Sequence, residues 1–294
     1  MESTLFFHLS SFDSRAFQHT IKSMTREYIA HLPIRQYELD ARGELPNSAL
    51  QRLFQETATQ GSADAGYGVE WYSTHNSVWV IYQMTLEHAR PIRYGDELAI
   101  TTWVSDFQRV RSHREYLARD ARTNEIVARG RAYWAHLNRA TLMPTRIPVD
   151  LFEQFAPNGV SALPRIAPRI YPAPRLGFDE FHTTRRVYRY EADEMQHVNN
   201  AIYIDWLEEA LADAAMMFFP AQNDRRLSVY RHDIEYTRSA VPGDQVEISV
   251  RLVGAGQTTS AWDLKIIRRD EILIKDHITA LWVNDAGKPI RCKI

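Results

Sequence analysis

At 294 residues the chain is long for one domain and comfortable for two. Its 45% apolar and 24% charged residues are an ordinary globular balance, so two cores can form without disulfides or metals. A formal net charge of −2 excludes a general electrostatic pull toward nucleic acid or membrane, and the single cysteine, Cys292, excludes an internal bridge.

Residues 1–24 read as a loosely ordered extension. The opening "MESTLFFHLSSF" starts with Glu2 where a secretory signal would place basic residues, and no run is long enough to span a bilayer. Low cysteine usage fits a reducing compartment, and the chain is expected to be cytoplasmic.

The first unit is expected over residues 25–140. "IRQYEL" reads as a short strand that leads through a polar turn into a long helix. Four runs rich in β-branched and aromatic residues follow: "VWVIYQMTLEH", "ELAITTWVSD", "HREYLARD" and "IVARGRAYWAHLN". Between about 141 and 181 prolines gather at Pro144, Pro148, Pro157, Pro164, Pro168, Pro172 and Pro174. That segment can be neither a central strand nor a long helix, and it reads as a linker.

The second unit, 182–294, repeats the grammar. "RVYRYE" leads into a helix with an apolar stripe at Ile204, Leu207, Leu211, Ala214 or Ala215, and Phe218. "LSVYRHDIEY", "QVEISVRLVG", "SAWDLKIIRR" and "ILIKDHITALWVN" then read as strands. The Gly-Asp pairs and "RRDE" read as hairpin turns.

The copies align in order. "YELDARGELPNSALQRLFQE" matches "YEADEMQHVNNAIYIDWLEE", and Gly95-Asp96 matches Gly243-Asp244. Ordered self-similarity argues for a duplicated unit. One helix followed by an antiparallel sheet implies α+β architecture, with the helix buried against the sheet.

The second copy carries the candidate chemistry. Asp193, His197, Asn199 and Asn200 collect just before its helix. The simplest reading is an N-cap, with Asn199 or Asn200 accepting a backbone N–H. The chemical reading uses the free amides of a helix start to polarise a carbonyl while a carboxylate activates water. In the first copy Asp40 and Asn47 persist, but Glu44 and Pro46 replace His197 and Asn199. One equipped half and one plain half suit a duplicated enzyme with a single site.

The pattern D-x-x-x-H-V-N-N-x-x-Y-x-x-W resembles the hotdog thioesterases. "IRQYELDARGELPNSALQRLFQETA", "GDELAITTWVSDF" and "REYLARDARTNEIVARGRAYWAHLN" resemble the fatty acyl-acyl carrier protein thioesterases, which are tandem double hotdogs. The resemblance covers roughly residues 27–290. It implies hydrolysis of the thioester between a fatty acyl chain and the carrier's phosphopantetheine arm. It also implies chemistry in the second repeat and an acyl pocket shaped by the first.

The family's Asp-x-Asn-x-His pattern falls on Asp193 to His197, with Met195 in place of the Asn. Where the family reads Tyr-Arg-Arg-Glu-Cys this chain has "YTRSA", with Ser239 and Ala240 in the last two places. The resemblance therefore carries Asp193 as general base or nucleophile and His197 as the residue that orients the thioester. Asn199 orders the loop. Glu208 and Glu209 are candidates for the missing carboxylate.

Tyr203, Trp206, Leu53, Phe54 and Trp79 are the expected substrate-binding residues, with core packing the alternative for each. Arg185, Arg186, Arg225 and Arg226 would form a docking face for an acidic carrier protein. The histidines show no metal spacing, no phosphate loop occurs, and neither metal nor cofactor is expected. Competing readings are an acyl-CoA thioesterase and a catalytically silent acyl-binding hotdog. The two units form a pseudo-dimer within one chain, which leaves a homodimer open.

Overall fold

The runs of β-branched and aromatic residues become long strands in the computed structural model. The structure describes residues 26–164, 180–219, 226–284 and 287–291. The expected extension 1–24, Cys292, Arg225 and prolines 168, 172 and 174 lie outside them.

The first half contains β1 (Tyr28–Pro33), α1 (Asn47–Asp64), α2 (Val69–Thr74), β2 (Ser77–His88), β3 (Glu97–Gln108), β4 (Arg111–Asp120) and β5 (Ile126–Asn138). A short helix, α3 (Val149–Phe155), follows in the linker region. The second half contains β6 (Phe181–Arg186), α4 (Ile202–Phe218), β7 (Arg226–Tyr236), β8 (Gln245–Ala255), β9 (Thr259–Arg268) and β10 (Glu271–Val283).

Among the described residues the strands form one antiparallel sheet in the order β1-β3-β4-β5-β2-β7-β10-β9-β8-β6. Once the two copies are equated, that order reads the same from either end. The halves meet where β2 pairs with β7, and Thr85 lies opposite Asp233 there, 148 positions later. The Thr85 hydroxyl donates to the Asp233 carboxylate at 2.8 Å. The seam is thus centred on equivalent residues, as a pseudo-twofold axis requires.

Two local expectations are corrected. "IRQYEL" and "RVYRYE" hold short 3-10 turns, Gln36–Glu38 and Arg189–Glu191, and the strands precede them. The recurring Glu is the cause: Glu38 accepts the Arg35 N–H at 2.8 Å and Glu191 the Tyr188 N–H at 2.7 Å, each closing a turn. The Gly95-Asp96 and Gly243-Asp244 turns are not hairpins, because β2 and β3, like β7 and β8, are not neighbours in the sheet. "RRDE" is a hairpin between β9 and β10, with Arg269 and Asp270 both at positive φ.

The stripe Ile204, Leu207, Leu211, Ala214 and Phe218 of α4 is buried, and α1 buries Leu50, Phe54 and Ala58. These residues join Tyr116, Ile234, Trp262 and Ile278 from the strands in one core that spans both halves. At about 25 cal/mol per Å², full burial of side chains such as Phe54 stabilises by about 2 kcal/mol each. A smaller cluster of Tyr67, Val104, Ile147, Leu151 and Phe155 lies beneath α3, with Trp71, Tyr72, Trp79 and Phe107 packed against it.

Candidate active site

The loop into α4 is held by backbone bonds and one buried carboxylate. Asp193 donates its N–H to the His197 carbonyl at 2.8 Å, and Gln196 donates to the Asp193 carbonyl at 3.0 Å. Gln196 has φ +60°, the left-handed value that Gly43 takes at the matching place in the first copy. Asp40 and Glu44 repeat the bond between Asp193 and His197, at 2.9 Å. Glu191 accepts the Trp206 indole N–H at 3.1 Å, pairs with Arg185, and offers its carbonyl to the Asn199 N–H. This pins the loop to the start of the helix. Asn199 Oδ1 accepts the Ala201 N–H at 3.0 Å, which closes a turn just before α4; it does not cap the helix as expected, because Ala201 is the N-cap and no side chain caps it.

Asp193, Glu194, Met195, Asn199 and Asn200 line one side of a cleft of about 360 Å³. Its other walls come from the first repeat: Gln55, Ala58, Thr59 and Ser62 of α1, Tyr67, Tyr72, Trp79, Phe107 and Arg114, and Leu151 and Phe155 of α3. A carboxylate at a helix entrance therefore faces an aromatic wall contributed by the other copy. Asp193 Oδ1 accepts the Met195 N–H at 2.9 Å.

The expected site residues fall in different places. Asp193, Asn199 and Trp79 share this cleft. His197 is half-buried and is not among the cleft's walls, because the tight turn closed by Gln196 joins it to Asp193 through backbone. Tyr203, Trp206 and Phe54 are core side chains. Tyr203 accepts the Ala240 N–H at 2.8 Å, Trp206 lies under the Arg185 guanidinium, and Phe54 stacks on Tyr116 at 4.8 Å. Leu53 is partly buried against the same core. Ala240 is fully buried and pins the loop through its backbone, whereas Ser239 is exposed.

The expected docking arginines are partly committed. Arg185 pairs with Glu191 and Arg226 with Glu44, Arg186 is exposed, and Arg225 lies outside the described residues.

Glu208 and Glu209 stand at a second cleft of about 1410 Å³, on the pseudo-twofold mate of the first. The walls correspond: Glu208, Leu211, Ala212 and Ala215 of α4 occupy the places of Gln55, Ala58, Thr59 and Ser62, and Asp40 that of Asp193. The long helices run antiparallel, which turns each helix's middle toward the other's entrance. Glu208 therefore cannot assist Asp193.

Glu208 belongs instead to a relay that sequence reasoning missed. His232, fully buried on β7, binds Asp276 through Nδ1 at 2.6 Å and Glu208 through Nε2 at 2.9 Å, and Asn47 donates to Glu208 at 2.6 Å. Burial alone would lower the imidazole's pKa, but the two carboxylates outweigh it and raise it to about 10. Burial likewise opposes ionisation of Glu208, and the His232 hydrogen bond and charge still hold its pKa below the usual range. His88, on the same cleft, is pushed down to about 4 by burial. The counterparts of His232 and Asp276 in the first copy are Met84 and Ala128, and only that asymmetry could have flagged the relay.

Comparison with known proteins bears on the whole arrangement. Residues 25–155 match the family model described as Acyl-ACP thioesterase N-terminal domain, and residues 195–275 match the Thioesterase superfamily. Among relatives, the chloroplastic acyl-[acyl-carrier-protein] hydrolase FATB2 of Cuphea viscosissima is 29% identical over 187 residues, covering 60% of this chain and 45% of that protein. A chloroplastic palmitoyl-acyl carrier protein thioesterase of Arabidopsis thaliana is 27% identical over 187 residues, with the same 60% and 45% coverage. The chain thus spans about half the length of the curated relatives it matches.

Two solved structures share the fold. The 12:0-ACP thioesterase of Umbellularia californica has a TM-score of 0.71 at 18% identity, covering 90% of this chain and 94% of that one. An acyl-ACP thioesterase of Bacteroides thetaiotaomicron has a TM-score of 0.66 at 17% identity, covering 86% and 97%. The fold is the two-domain hotdog thioesterase fold.

Proposed function

Because the chain belongs to the acyl-acyl carrier protein thioesterase family, we propose that it hydrolyses the thioester of a fatty acyl-acyl carrier protein at the Asp193 cleft. The observation that carries the reading is the meeting of Asp193 and Asn199, at the start of α4, with the aromatic wall of Trp79, Tyr67, Phe107 and Phe155. The acyl chain lies along that wall and the pantetheine arm enters past the loop.

Asp193 takes a proton from a water as its oxygen adds to the thioester carbonyl. Collapse of the adduct breaks the C–S bond, the proton passes to the departing thiolate, and free fatty acid and carrier thiol are released. Asn199 keeps the loop and helix start in register. His197 acts through the loop, its carbonyl accepting the Asp193 N–H and so holding the base in place. The acyl pocket belongs to the first unit, residues 25–140, extended by the linker helix, and the chemistry belongs to the second, 182–294.

The same reading places the reaction in fatty acid biosynthesis. Among the described residues no helix is long and apolar enough to cross a membrane. The named plant relatives are chloroplastic, and a cytoplasmic setting is this proposal's own. Met195 on the cleft wall and exposed Ser239 favour the silent acyl-binding reading as the second choice.

Turnover of purified protein on acyl-carrier and acyl-CoA thioesters separates the readings. Hydrolysis is expected with a lower KM for the carrier-bound substrate, and tight acyl binding without thiol release would replace the enzyme by a binding protein.

A further inference from the structure

The Asp193 cleft holds a charge that an alkyl tail does not need. Arg114 lies on β4, opposite Val104 of β3 and Ala132 of β5, and is 7% exposed. Its guanidinium donates to the Ala58 carbonyl of α1 and sits 5.5 Å from the Phe155 ring centroid. Among the described residues no carboxylate pairs with it. The adjacent Glu115 is committed to Arg131 at 2.7 Å and to the Ser105 hydroxyl at 2.8 Å.

An arginine stays protonated when buried, so the charge persists in the folded protein. Burying an ion without a partner costs several kcal/mol, and proteins normally offset that with a counter-ion. Burial does lower the Arg114 pKa from its ordinary value, the direction expected for a desolvated cation.

The rest of the cleft is polar as well. Ser77, 4% exposed, lines the same cleft with a buried hydroxyl that has no hydrogen-bond partner. Gln55, Thr59, Ser62, Tyr72 and Ser112 add further polar groups to the wall. In the other repeat the counterpart of Arg114 is Trp262, opposite Leu252 as Arg114 is opposite Val104, and it is fully buried in the core. Hydrocarbon thus fits the position, and this repeat carries a cation instead.

We infer that the Arg114 guanidinium forms a carboxylate-binding subsite within the acyl pocket, so that the preferred acyl chain ends in a carboxylate rather than a methyl group. The guanidinium fork matches a carboxylate in two parallel hydrogen bonds, and α3 excludes water above it through Phe155. The inference rests on the proposed acyl pocket and names the class of acyl group it takes.

The test uses two matched pairs of ligands. Carrier thioesters of one chain length, one ending in methyl and one in carboxylate, are compared by kcat/KM. The N-ethylamides of the same two acids, which cannot be cleaved, are compared by calorimetric binding. Charge-assisted hydrogen bonds predict a preference of about 10- to 100-fold for the carboxylate in both assays.

Arg114→Met should abolish that preference, raising KM for the carboxylate-ended thioester relative to the methyl-ended one until the two match. Arg114→Lys should keep part of it, and wild-type binding decides the matter if the Met variant fails to fold. Equal or weaker binding of the carboxylate-ended amide by the wild-type protein overturns the inference. Carboxylate-selective binding without hydrolysis of any thioester overturns the proposed activity and leaves the subsite standing.

Discussion

Arg52 of α1 and Asp205 of α4 hold the same place in the two repeats, 153 positions apart, and meet in an ion pair of 3.2 Å. Equivalent residues touch only at a pseudo-twofold axis. The helix therefore shares that axis with the β2–β7 seam, where the offset is 148. The change from 153 to 148 is taken up between long helix and strand, where the first copy carries α2. Both members of the pair are more than 40% exposed, so it contributes at most about 1 kcal/mol.

Removing the proposed base is the most direct check on the site. Asp193→Asn preserves shape and should lower kcat on an acyl-carrier thioester by at least ~100-fold. The melting temperature should not move. An unchanged turnover number would transfer the chemistry elsewhere.

Cavity wall and core should separate in a second comparison. Trp79→Ala enlarges the Asp193 cleft and should shift the acyl-length preference toward longer chains. Phe54→Ala removes a fully buried ring stacked on Tyr116 and should cost about 3–5 kcal/mol in chemical denaturation. Its length profile should stay as in the wild type, because Phe54 is absent from the cleft wall.

Gly130 on β5 offers a packing test. A Cβ there would lie 2.6 Å from Phe54 Cε2 and 3.1 Å from Met84 Cε. The Phe54 ring is stacked and cannot yield, so Gly130→Ala should destabilise by about 1–3 kcal/mol. A neutral result in urea titration would mean the ring is free to move.

The relay predicts a pH dependence of stability. His232 has a folded pKa of about 10, above the unfolded value near 6.5. Its contribution is complete below pH ~6.5 and is lost as the pH rises toward 10. His88, at about 4 when folded, works in the opposite sense: its contribution is complete above pH ~6.5 and fades as the pH falls toward 4. Unfolding free energy measured across both windows should form a dome, and His232→Gln should flatten its alkaline side. An alkaline slope that survives the substitution would assign it to another group.

What the sequence by itself determined is local or repeated. The eight long strands follow from runs of β-branched and aromatic residues, and the α4 stripe follows from helical spacing. The duplication appears as ordered matches, and the Asp193 loop stands out because the first copy keeps its Asp but lacks the counterparts of His197 and Asn199. Such signals depend on near neighbours in the chain or on comparing one half with the other.

Only the tertiary structure decided which side chains meet. The Asp193 cleft joins a loop of one repeat to a helix and strands of the other, so Trp79 entered the site while Tyr203, Trp206 and Phe54 stayed in the core. Asn47 reaches Glu208 across 161 positions, and His232 reaches Asp276 across 44. Neither pairing leaves a periodic trace. Arg114 looked like any strand arginine until β3, β5 and α3 closed around it, because desolvation and the lack of a counter-ion are properties of packing and not of chain order.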